Sequence, residues 1–247
     1  MGVAGLILAL RNHRTANGRE LFESRYFTLL QLHRDNVREI ELPGANSRKF
    51  FVEALRELRS IYPIARDAAG HCGQELSASE LLHVSYYCLF YGAGPHSSRQ
   101  LKRSLSSFDS QLVERLNATL DSDDTKGSVK AEREFQYTPF EGHQSRLGHY
   151  YRHLYQTISY IDQQSSSIDR YGYVKTVRAQ LSTHEQALLL INSLTPLGHI
   201  WWEKGFMIKY RLVQNIPRDF FEPHELDVSK LFPQNYFEWE ELKAQAE

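Results

Sequence analysis

Residues 19–40 read RELFESRYFTLLQLHRDNVREI, and Phe22, Tyr26, Leu29, Leu30, His33, Val37 and Ile40 recur in it at steps of three and four. That spacing gathers them on one stripe of a helix instead of the alternate faces of a strand, so the stretch predicts one long amphipathic helix. Pro43 and Gly44 close it. The same period continues down the chain. Ser47 opens a second helix through Tyr62, with Phe51, Leu55, Leu58 and Ile61 on its stripe, Pro63 near its stop and a loop over Ala68 to Gly73. A third helix starts at Ser77 or Ser79; Leu81, Leu82, Val84, Tyr86, Leu89 and Phe90 make it apolar almost all round, as a buried central helix is. A fourth spans Ser98 to Leu120, and the polar run Asp121 to Gln136 reads as a surface linker or mobile loop. Helices five and six cover Ser145 to Asp162 and Tyr173 to Leu181. Ser182-Thr183-His184-Glu185 is a capping box that starts the seventh, through Leu194. An eighth is expected over Trp201 to Asn215. A partly ordered tail follows from Arg218 to Glu247, with a short helix at Phe237 to Ala246. No run keeps the period of a strand. The expected architecture is all-α, a single helical domain of about eight helices.

Composition narrows the function classes. The chain has 247 residues, of which 41% are hydrophobic and 24% charged, a balance that folds and excludes wholesale disorder. Its formal net charge of -1 argues against a protein that coats nucleic acid over a wide surface, because such binding needs many Lys and Arg contacts. Any nucleic-acid contact must be local. Two cysteines, Cys72 and Cys88, supply neither a disulfide framework nor a cysteine zinc site, which points to a reduced, cytoplasmic setting. The opening apolar run Gly2 to Leu10 has nine residues, short of the ~20 that cross a bilayer. Gly92-Ala93-Gly94 follows a helix and lacks the Lys-Ser/Thr of a phosphate loop, and no Gly-x-Ser-x-Gly is present. No cofactor is expected.

One segment looks chemical. Gly142 to Tyr160 (GHQSRLGHYYRHLYQTISY) sets His143, Arg146, His149, Arg152 and His153 within eleven positions that contain no acid. On a helix Leu147, Leu154, Ile158 and Ile161 form the core stripe, while Arg146, His149 and His153 share a separate ridge. Histidines titrate near neutrality and fill either proton role in RNA cleavage, and an arginine fork holds phosphate oxygens. A metal-independent ribonuclease with Arg146, His149 and His153 as catalytic residues, and His143 and Arg152 as substrate-binding residues, is therefore the expected chemistry. A zinc ion on His149 and His153, with His143 or Glu141 as third ligand, is a second reading. A third is purely structural: the imidazoles and phenols of a central helix bonded to its neighbours. Trp201 and Trp202 beside Lys204 offer an interface to a partner.

Arg146 and His153, with six residues between them, are similar in spacing to the motif of HEPN-type ribonucleases, which pair their motif helices across a dimer; Arg178 and His184 fit the spacing too. A broader resemblance involves Phe22 to Phe27 with Leu29 to Val37, Gly142 to Gln156, Tyr173 to Lys175 with Arg178 to Ser182, and Leu188 to Leu194. These blocks, spread over most of residues 19–215, resemble those of the bacterial putative phage abortive infection protein family. The resemblance implies antiphage defence, in which the infected cell stops growing before phage matures. RNA, a phage component and a second copy of the chain are the expected partners. The alternative role is a non-enzymatic sensor or interaction module that detects a phage component, with Trp201, Trp202 and the tail as contact surface. Longer relatives carry membrane helices, which implies that residues 1–18 resemble the remnant of an anchor, peripheral to the inner membrane, ahead of a domain at 19–217 and a tail at 218–247.

Overall fold

A computed structural model describes residues 3–40, 47–95, 97–221, 226 and 228–240, with side chains in the first helix from Asn17 onward. Helix accounts for 67% of the chain and no strand occurs among the described residues, so the all-α class holds in one helical domain. Among the described residues eleven α-helices succeed one another: α1 (Val3–Arg38), α2 (Ser47–His71), α3 (Ala78–Tyr91), α4 (Ser98–Ser104), α5 (Ser110–Asp121), α6 (Asp123–Glu132), α7 (Gln144–Asp162), α8 (Arg170–Arg178), α9 (Thr183–Ser193), α10 (Ile200–Glu203) and α11 (Phe206–Lys209). A 3-10 turn, Val228–Lys230, lies in the tail. Among the described residues no helix is long and apolar enough to cross a membrane.

The core gathers around α2, α3 and α9. Every residue of α3 from Val84 to Tyr91 is buried, and every residue of α9 from Glu185 to Ser193. Each starts with a full capping box, Ser77 with Glu80 at the surface and Ser182 with Glu185 part-buried, which satisfies two orphan donors at the helix start. Around this centre α1 packs on α7 and α2, α5 on α2, and α8 on α7. On α1 from Asn17 onward the buried residues are Phe22, Tyr26, Leu30, His33 and Val37, all of the stripe read from the sequence, with Leu29 half-buried.

Several boundaries differ from the sequence reading, each for a local reason. α2 runs through Pro63 to His71, because Ile61, Ala65, Ala68 and Ala69 on both sides of the proline are buried and packing outweighs the lost backbone bond. The expected loop at Ala68 to Gly73 is thus mostly helix. The fourth helix is two, split where Asp109 caps α5 by accepting the Leu112 amide at 3.0 Å. The expected linker at Asp121 to Gln136 holds α6, which buries no residue and is set by the Ser122 cap and by Lys126 paired with Asp121 and Glu141. The eighth helix is broken into two short ones by Gly205, whose φ of 68° no regular helix accepts. The tail is more ordered than expected: Tyr236 donates to the Met207 carbonyl at 2.7 Å and Trp239 to that of Ile216 at 3.2 Å. Expectations for Pro43, Gly44, the Ser47 side chain and residues 241–246 of the tail helix lie outside the described residues.

Candidate functional site

The site is built on the start of α7. Gly92, which ends α3, and Gly142, which precedes α7, meet backbone to backbone: a Cβ on Gly92 would stand 2.5 Å from the Glu141 carbonyl carbon, and one on Gly142 2.5 Å from that of Tyr91. Both have positive φ, 82° and 85°, so glycine is required twice over. The approach lets the Ala93 amide donate to the Phe140 carbonyl at 2.8 Å, and that of His143 to the carbonyls of Leu89 and Phe90. Phe140 itself sits at φ 69°, held there because its amide donates to Glu57 Oε1 at 2.9 Å.

Glu57 is fully buried in α2 and is the acceptor at the centre of this corner. Besides the Phe140 amide it accepts the Tyr137 hydroxyl at 2.8 Å and pairs with His143 Nε2 at 3.1 Å. A carboxylate inside apolar surroundings persists only with such a set of donors. Burial, and then the neighbouring Glu57 charge, push the Tyr137 phenol far above its ordinary range, so it stays a donor. His143 does not reach the surface. Its ring is a core group, clamped to Glu57 and lying edge-on against Phe50 at 5.3 Å.

His149 and His153 do share one ridge, and the ridge faces α1. His149 Nε2 lies 3.2 Å from Asn36 Oδ1, and His153 Nε2 lies 3.1 Å from the Leu29 carbonyl. The Leu29 carbonyl can only accept, so His153 carries its ring proton on Nε2. The Thr157 hydroxyl donates to the His153 carbonyl. Burial lowers the affinity of His153 for a second proton; the Leu29 carbonyl opposes this and His149 adds to it. His33 of α1 stacks on His153 with ring centroids 6.0 Å apart and lies 5.6 Å from the ring of Tyr150. Burial, then the charges of His153 and Arg34, push His33 down to about 4. Tyr150 in turn donates to Glu185 Oε1 at 3.1 Å, while Glu185 Oε2 accepts the Ser182 amide at 2.7 Å. One carboxylate both caps α9 and ties it to α7.

Arg146 is half-buried on the same side of α7. Arg152 projects from another flank, where it lines a cleft of about 200 Å3 with Gly148, Tyr151, Tyr155, Asn192 and Trp201. The five residues singled out in the sequence thus fall in three places. The second arginine-histidine spacing is structural: Arg178 is buried and donates to the carbonyls of Tyr210 and Arg211, both at 3.0 Å. Trp201 is a core residue, and Trp202 is half-buried, donating to the Ser193 hydroxyl at 3.0 Å. Among the described residues no three His, Cys, Asp or Glu side chains converge where a metal ion could be held. The sequence reading missed Glu57, Tyr137 and the polar role of His33, which hid in an apolar stripe.

Fold and site together define an all-α domain whose signature helix is locked to its neighbours by buried carboxylates and imidazole hydrogen bonds. Residues 142–221 match the model of a family described as putative phage abortive infection protein. The match begins at Gly142, the glycine that lets α7 start against α3, and takes in α7, α8 and α9. No curated protein and no solved structure matches the chain.

Proposed function

We propose that this chain acts in antiphage defence by abortive infection, as a non-enzymatic sensor or interaction module with α7 as its rigid centre. The family match over residues 142–221 supports the defence role. The observation that carries the non-enzymatic reading is the engagement of one nitrogen of each histidine, Nε2, by the protein itself: that of His143 by Glu57, of His149 by Asn36 and of His153 by the Leu29 carbonyl. A general acid-base imidazole needs a nitrogen turned to a substrate; Nε2 of each of these three is turned to the fold, and His143 is buried altogether. In this reading a phage component shifts the packing of α1 against α7, and a separate effector acts on the cell.

Metal-independent RNA cleavage by Arg146, His149 and His153 is the second reading. The exposure of His149, one helical turn from His153, favours it. The two readings part in a simple experiment. Cells carrying the gene are infected and scored for plating efficiency and for total RNA integrity, and the purified protein is incubated with tRNA with and without metal. Fewer plaques with intact RNA supports the sensor; fewer plaques with cleaved RNA supports the nuclease. Unchanged plating would refute the defence role itself.

A further inference from the structure

On the far side of the α1–α7 seam, α1, α2 and the segment after α8 enclose a surface cleft of about 400 Å3, lined by His33, Arg34, Val37, Arg38, Arg48 and Gln180. Neither Arg146 nor any of the α7 residues singled out in the sequence lines it. Three guanidinium groups from two helices therefore face one hollow. Arg34 Nε donates to Gln180 Oε1 at 3.2 Å, which leaves its other N–H groups without a partner among the described residues. Arg38 meets Asp35 at 3.4 Å in a half-exposed pair, and Arg48 meets no acid among the described residues. Against these three guanidinium groups Asp35 is the one acid paired among the described residues, so the hollow keeps a net positive field.

Solvated arginines alone make an ordinary basic surface. His33 makes this one different. It is only 2% exposed, and both ring nitrogens lack a hydrogen-bond partner. A buried polar atom left unmatched costs free energy, so such a group in a native core calls for an explanation. In a neutral imidazole one nitrogen donates and the other accepts; His33 borders the cleft with both nitrogens sealed from solvent, so a ligand oxygen seated between Arg34 and Arg48 would supply the acceptor it lacks once the ring turns toward the hollow.

We propose that this cleft binds a phosphate-bearing small molecule of mononucleotide size. The arginines supply the forks that suit phosphate oxygens, and the volume lies within the 300–1,000 Å3 range typical of ligand pockets. Val37 offers an apolar wall, and the Gln180 amide can donate or accept at a base edge. The site stands independently of the defence reading. Its bearing on that reading is positional: His33 stacks on His153, so occupancy of the cleft is felt on the family's signature helix.

The test is calorimetric titration of the full chain with AMP, adenosine and inorganic phosphate. AMP is expected to bind at least about tenfold more tightly than either adenosine or phosphate. Arg34→Gln and Arg48→Gln should each weaken AMP by about tenfold or more, and Lys49→Gln, an exposed neighbour outside the lining, should leave it unchanged. Both arginines are exposed, and melting temperatures equal to wild type will show that the variants fold. No AMP binding, or AMP affinity equal in wild type and Arg48→Gln, overturns the site. Phosphate binding as tightly as AMP overturns its nucleotide size.

Discussion

His33 gives the sharpest stability prediction because it is so nearly sealed from water. Its pKa falls from the ordinary 6.5 to about 4 on folding, since burial disfavours the imidazolium and both His153 and Arg34 repel it. The folded form therefore binds a proton less readily than the unfolded chain. The resulting stabilisation is fully present above pH 6.5 and is lost as pH falls toward 4. With those two values, lowering the pH from 7 to 5 removes about 2 kcal/mol through this one residue. His33→Phe keeps a ring against Tyr150 and His153 but cannot titrate. Urea unfolding of both proteins at pH 7 and pH 5 isolates the effect from the other carboxylates and imidazoles, which the two proteins share. At a slope of about 3 kcal/mol/M, the wild-type midpoint should drop about 0.7 M more than that of the variant. Equal drops would refute the buried, neutral state of His33.

Three further outcomes follow from the same geometry. Gly142→Ala and Gly92→Ala each place a methyl 2.5 Å from backbone at a positive φ, so each should cost about 3 kcal/mol or more in thermal or urea unfolding. Glu57→Gln brings an NH2 into a site built for three donors, and should cost about 2–4 kcal/mol by the same assay while leaving helix content by circular dichroism intact. Ser182→Ala removes the α9 cap and should cost about 1 kcal/mol, with the loss shared by any variant that breaks the Glu185–Tyr150 bond.

Much of the fold was legible in the sequence because half-wet helices announce themselves by period. The α1 stripe and the Ser182 capping box came straight from residue order, and so did the sealed character of α3. The α6 helix did not, because it buries nothing and leaves no apolar period to see; its cap and the Lys126 pairs hold it. Pro63 looked like an end because propensity is local, whereas the alanines after it are held by packing from other helices. The site was half legible. The His-Arg ridge of α7 could be seen as a ridge, but what it touches could not: Asn36, Leu29 and Glu57 are distant in the chain and become neighbours only through the fold. Arg152 and His143 were grouped with the ridge by proximity in sequence, while helix rotation turns one to another flank and the glycine junction draws the other into the core. His33 counted as apolar because it occupies an apolar position.

The proposed sensor role makes the imidazoles of α7 packing groups and not proton carriers. Gln at His149 and His153 keeps an N–H for Asn36 and the Leu29 carbonyl but moves no proton, so the His149→Gln, His153→Gln double variant is the direct test in infected cells. A melting temperature near that of wild type and an unreduced block on phage plating are the predicted result. A folded double variant on which phage plates as freely as on unprotected cells would contradict it.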